Sequence, residues 1–167
     1  ERTLNSLMQA GFEHNKQSLR VVDVLEKLNL TYEVRDGILC HTGSRQAETL
    51  EGQIVRYADR IAYINHDIDD AIRAGILSEG DIPKHISEVL GDTHGKRIDS
   101  LVRAVISGSG DGEIKMPPAI QTIMDELRQF MFDNIYNSHS LAKKEEKKAE
   151  RIVEMLFGYY IKHTDEI

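Results

Sequence analysis

The chain has 167 residues, with 21 Lys+Arg against 28 Asp+Glu for a formal charge of −7, and is 40% hydrophobic and 29% charged. That length suits one ordinary domain, and a composition this close to the globular average excludes wholesale disorder and the other compositional extremes. The acidic balance argues against nonspecific nucleic-acid binding, the lone Cys40 excludes an intrachain disulfide and fits a reducing, cytoplasmic setting, and no run of about 18 apolar residues offers a membrane span.

Only three prolines occur, β-branched runs are short, and apolar residues recur at three and four rather than at two. The pattern predicts an all-α chain. A helix already under way at Glu1 runs over 1–10 and closes at Gly11, which predicts a chain that continues upstream. A second helix covers 15–28 with Leu19, Val22 and Leu25 on its apolar stripe, and a third covers 31–39 with Val34 and Ile38 inward. The longest helix spans 49–77. Leu50, Ile54, Tyr57, Ile61, Ile68 and Ile72 mark its apolar line, and Gly75, Gly80 and Pro83 end it.

Helices over 82–90 and 97–107 follow, then a loop over 107–112 rich in Gly and Ser. Pro117 and Pro118 open a helix that runs to 137, with Ile120, Ile123 or Met124, Leu127, Phe130 or Met131, and Ile135 inward. The last helix starts at 140. Lys143, Lys144, Glu145, Glu146, Lys147, Lys148, Glu150 and Arg151 mix both signs at spacings of three and four, which reads as a solvated face.

Within the long helix, Asp59, Tyr63 and Asp67 are four residues apart and stack along one edge, with Asn65, His66 and Asp70 flanking. Spacing alone fits two readings: an amphipathic boundary with a tyrosine at its rim, or a polar line that faces a cavity. Adjacent helical residues point about 100° apart, so His66 and Asp67 do not converge on one ion, and His66 is expected to be exposed. His14, Asn15, Lys16 and Gln17 gather at a helix start, where exposed amides favour an anion such as phosphate, although an Asn15 cap beside a solvent-facing His14 explains the same residues. Cys40-His41 has no second cysteine at metal-ligand spacing, which argues against zinc.

Three blocks carry a resemblance: Gly11-Phe12-Glu13-His14-Asn15-Lys16-Gln17-Ser18-Leu19-Arg20-Val21-Val22, then Leu30-Thr31-Tyr32-Glu33-Val34-Arg35-Asp36-Gly37-Ile38-Leu39, then Glu51-Gly52-Gln53-Ile54-Val55 with Ala58-Asp59-Arg60-Ile61-Ala62-Tyr63-Ile64-Asn65-His66-Asp67-Ile68-Asp69-Asp70. In this order and spacing the chain resembles bacterial deoxyguanosinetriphosphate triphosphohydrolase-like proteins of the HD superfamily. The resemblance covers residues 1–77 and continues more weakly beyond them. It implies an all-α, HD-domain-like helical bundle, present in part, with residues 1–80 as the C-terminal part of the core and 81–167 as a helical region packed on it.

The resemblance further implies hydrolysis of a deoxynucleoside triphosphate to deoxynucleoside and triphosphate, with a divalent ion, Mg²⁺ or Mn²⁺, as cofactor. By the same match Asp59 is the distant aspartate among the metal ligands, Arg60 faces the phosphates, Tyr63 packs on sugar or base, and Asp67 accepts a hydrogen bond from the 3′-hydroxyl. His14 is a pocket histidine that protonates the leaving 5′-oxygen or holds a phosphate oxygen, and Asn15 and Gln17 share its wall. Glu1 falls on the last residue of the family's Gly-His-Ala-Gly-Glu segment, a catalytic glutamate. The family's first His and its His-Asp dyad lie before Glu1, so His66-Asp67 is not that dyad, and the 167 residues alone are expected to be inactive. Homo-oligomerisation is expected by resemblance. Competing readings are a non-catalytic dNTP-binding or regulatory domain, an HD phosphohydrolase acting on nucleotide monophosphates, and a helical scaffold.

Overall fold

The computed structural model describes residues 1–136 and 140–166, and for 140–144 the backbone alone. Among these residues the chain forms eight α-helices and no strand: α1 (Arg2–Leu7), α2 (His14–Arg20), α3 (Tyr32–Cys40), α4 (Leu50–Arg73), α5 (Lys84–Leu90), α6 (His94–Gly108), α7 (Pro118–Met131) and α8 (Ser140–Lys162). The all-α reading of the sequence holds.

Several boundaries differ from the sequence pattern, each for a local reason. The first helix stops at Leu7, because Met8 turns extended and the Asn5 amide oxygen accepts the Phe12 N–H at 2.8 Å, folding 8–11 into a turn. Past Arg20 the second helix widens into a π turn over Val21–Leu25, with the Glu26 N–H on the Val21 carbonyl. The extra residue in that turn rotates the stripe, and Leu25, expected inside, is exposed. The long helix ends at Arg73 rather than at 77, since Gly75 takes a left-handed conformation (φ 68°) and the N–H groups of Ile76 and Leu77 turn back to the Ala71 carbonyl.

α6 starts three residues before the predicted position, because Thr93 is its cap and accepts the Lys96 N–H. It extends to Gly108, and the loop beyond closes with a two-residue bridge between Gly110 and Glu113. α7 passes into a second π turn over Phe132–Tyr136, while the predicted end at 137 lies outside the described residues. So do the side chains of Lys143 and Lys144; within the rest of that charged face Lys148 pairs with Glu145, and Glu146 and Glu150 both pair with Arg2.

The core lies between α4, α5, α6 and α7. Ile61, Ile64, Ile68 and Ala71 of α4 meet Ile86, Leu90, Leu101, Ala104, Met124, Leu127 and Met131. Tyr57 and Ile72 flank this core, but Leu50 and Ile54, read as part of the same apolar line, are exposed. The reason is that the first turns of α4 rest on α3 through a different face. A Cβ on Gly52 would stand 2.6 Å from the Ala47 Cβ and 3.2 Å from the Gly37 Cα, so this crossing is built from residues without side chains. It also explains why α3 turns Gly37 and Cys40 inward and leaves Val34 exposed.

Gly52→Ala tests that crossing. A helix interior gains about 1 kcal/mol when Gly becomes Ala. Here the steric conflict dominates, and a net loss of about 1–3 kcal/mol is expected. A urea midpoint at or above the wild-type value would contradict it.

Candidate functional site

Two groups of side chains stand out, one around His14 and one along α4. In the first, both oxygens of the Glu1 carboxylate engage His14: Oε1 accepts its backbone N–H at 3.1 Å and Oε2 lies 3.0 Å from Nδ1. The side-chain bond, followed by the backbone one, holds the Glu1 carboxyl below its usual range. The other ring nitrogen of His14 lies 3.1 Å from Nε2 of His41, whose Nδ1 donates to the Ile38 carbonyl at 2.7 Å. Asn15 ties the same helix start to α3 by donating to the Leu39 carbonyl at 2.8 Å. Gln17 is half-buried three residues on from His14, and Lys16 pairs with Glu13.

The sequence around His41 argues against zinc and suggests no other role for it. In the fold it joins His14 from 27 residues away, a separation that no local pattern reveals. It also borders an apolar groove of about 700 Å³ lined by Val22, Val34, Gly37, Gly52 and Val55.

Along α4, Asp59 and Tyr63 are exposed and Asp67 is half-buried. The Tyr136 hydroxyl donates to Asp67 Oδ2, and Tyr63 stands beside the same carboxylate one turn back along α4. Burial pushes the Asp67 carboxyl up, and Tyr63 opposes that shift. Tyr136 comes from the π turn after α7, 69 residues on, and no sequence pattern singles it out.

Arg60 sits beside Asp59. Its guanidinium is held below its ordinary value by partial burial and then by the positive charges of Arg56 and Arg128. Among the described residues neither Arg60 nor Arg128 has a carboxylate within 4 Å; Arg128 instead lies over the Phe132 ring at 5.7 Å. Cations gathered without partners favour an anionic ligand. Arg56 is engaged elsewhere. Its Nη1 donates to the carbonyls of Cys40 at 3.2 Å and Arg45 at 2.7 Å, and its Nη2 to that of Gly43. It thereby clamps the segment that carries His41 onto α4.

His66 is exposed as expected, with its ring 5.5 Å from that of His94. Among the described residues no three His, Cys, Asp or Glu side chains converge as a metal-binding group. Asp59 supplies one carboxylate, so on its own this chain does not fit a catalytic divalent ion. No helix among the described residues is long and apolar enough to cross a membrane.

Residues 114–167 match the phosphohydrolase-associated domain family. Over its whole length the chain is 50% identical to a deoxyguanosinetriphosphate triphosphohydrolase-like protein of Caldanaerobacter subterraneus subsp. tengcongensis, of which it covers 50%. By sequence the chain is similar over its whole length to deoxyguanosinetriphosphate triphosphohydrolase-like proteins. Another such relative, from Clostridium tetani, is 45% identical over the full chain with 52% of its own length covered. A third, from Bordetella pertussis, is 32% identical over 90% of the chain, covering 54% of its own length. The chain thus spans about half the length of the curated relatives it matches. The matched domain and the names of these relatives support a phosphohydrolase family.

Proposed function

We propose that the full-length protein hydrolyses deoxynucleoside triphosphates to deoxynucleoside and inorganic triphosphate with Mg²⁺ or Mn²⁺, and that these 167 residues alone do not. The observation that carries this reading is the edge of α4. There Arg60, facing Arg128 without an ion-pair partner, lies two turns from a carboxylate that accepts the Tyr136 hydroxyl beside Tyr63. One end of that edge suits a polyanion and the other a neutral hydroxyl. The names of the relatives support the same substrate class.

In this reading Arg60 holds phosphate oxygens, for which its planar fork is suited. Tyr63, 63% exposed, offers its ring to the sugar or base. Asp67 accepts the 3′-hydroxyl; an ionised carboxylate has about four lone-pair sites, so the Tyr136 hydroxyl leaves room for a further donor. His14, oriented by Glu1, gives a proton to the 5′-oxygen or holds a phosphate oxygen, while Asn15 and Gln17 form its wall. Asp59 is the one metal ligand this chain contributes, and the remaining ligands come from outside it. A bound divalent ion supplies Lewis-acid activation in such sites.

The test is a screen of the four dNTPs, with and without Mn²⁺ or Mg²⁺, on the full-length protein and on the 167-residue chain side by side. Metal-dependent release of triphosphate by the first and none by the second is expected on an ion-exchange trace. Release of monophosphate would instead favour a general HD phosphohydrolase, and nucleotide binding without turnover a regulatory domain. Triphosphate release by the short chain would overturn the second half of the proposal.

A further inference from the structure

Counting protons through the histidine contacts leads to an assignment for His41. Its Nδ1 faces the Ile38 carbonyl at 2.7 Å, and a carbonyl only accepts, so this nitrogen carries a proton. His14 Nδ1 faces the Glu1 carboxylate at 3.0 Å. An ionised carboxylate only accepts, so this nitrogen carries a proton as well. The two Nε2 atoms are 3.1 Å apart, which is hydrogen-bond distance and requires one proton between them. That makes three protons on two rings, where two neutral imidazoles hold two.

We propose that His41 is a positioning residue for His14, and that the pair shares one excess proton between its Nε2 atoms. The two end groups, Glu1 and the Ile38 carbonyl, fix both rings by their Nδ1 atoms and leave the shared proton no other arrangement. His41 itself is fixed from two sides: it stands at the end of α3, and Arg56 holds the carbonyls of Cys40 and Gly43 on either side of it. The rings meet edge to face, with centroids 5.0 Å apart at 67°, which aims one nitrogen at the other rather than stacking the faces. The consequence is that the pair carries one positive charge and that the shared Nε2 proton of His14 can pass from His41 to a phosphate oxygen, or to an oxygen that must gain a proton, when such an oxygen takes the place of His41.

The proton arrangement stands on the geometry alone, whereas its effect on turnover rests on the proposed function, and two measurements separate them. The first uses the metal-free full-length protein labelled with ¹⁵N histidine, with signals assigned through His14→Gln and His41→Gln. A proton on Nδ1 of both rings and an Nε2-to-Nε2 coupling through one shared hydrogen are expected. A bare Nδ1 on His41, or no such coupling, overturns the assignment whatever the enzyme does.

The second is kinetic. His41→Leu, which has no acceptor, is expected to lower kcat for triphosphate release at least about tenfold with KM within about twofold. His41→Gln offers an amide oxygen to the same His14 N–H, and is expected to recover to within about threefold of wild type. Wild-type turnover in the Leu variant, or an equal fall in both, removes the positioning role. If the wild-type protein releases no triphosphate, the proposed function fails and the spectrum still decides the shared proton.

Discussion

Asp59→Asn in the full-length protein is expected to lower kcat/KM for triphosphate release more than about a hundredfold and to lose bound metal in parallel. Asparagine keeps the size of the side chain and removes its negative charge, so the fold should be untouched, since Asp59 is exposed. Asp67→Ala, two turns along the same edge, should behave differently. It leaves the Tyr136 hydroxyl without its carboxylate and removes the acceptor assigned to the 3′-hydroxyl. Its expected signature is a rise in KM of about tenfold with metal content intact, together with weakened selection against 3′-deoxy substrates. Metal titration and steady-state kinetics on both variants distinguish the two roles. Asp59→Asn with full metal content, or Asp67→Ala with unchanged KM and unchanged selection, would refute the respective assignment.

The two ends of the α4 edge differ in how they could be read from sequence. Asp59, Tyr63 and Asp67 declare their common edge by a spacing of four, because a helix brings such residues into line whatever surrounds them. Nothing in that spacing says what completes the edge. Tyr136 and Arg128 arrive from the end of α7, and their approach depends on a π turn and on how α7 packs over the core. The same holds for His41, whose partner is set by the stacking of α2 on α3 and by Arg56, not by its neighbours Cys40 and Thr42.

The fold shows the same division. Periodicity found every long helix because one face of each is apolar over several turns. It misplaced ends where a cap or a left-handed glycine decides, as at Thr93 and Gly75. On α3 it picks the part-buried Ile38 but also the exposed Val34, and it passes over the buried positions Asp36, Gly37 and Cys40, which a rule that looks for large apolar residues does not select.

Asp36 is the most consequential residue that such a rule passes over. Its carboxylate is almost fully buried, yet every partner is in place: Arg45 donates to Oδ1 at 2.6 Å, the Glu48 N–H to Oδ2 at 2.8 Å, and the Cys40 thiol lies 3.5 Å from Oδ1. In return burial and the carboxylate together push the Cys40 thiol up, keeping it protonated as a donor. These bonds draw 45–48 onto α3, and Ala47 in that segment is what Gly52 packs against. Asp36→Ala removes all three acceptor contacts at once and strands the part-buried Glu48 N–H and the thiol, while Arg45, about half exposed, can return to water. The expected loss is about 3 kcal/mol, more than a surface ion pair is worth and less than for a pair buried on both sides. Asp36→Asn keeps the shape and one acceptor but sets an amide N–H₂ toward donors, so about 2 kcal/mol is expected. Urea unfolding with an unchanged slope measures both. A loss below about 0.5 kcal/mol for Asp36→Ala, the range of an ordinary surface change, would mean that the α3–α4 crossing stands on its glycines alone.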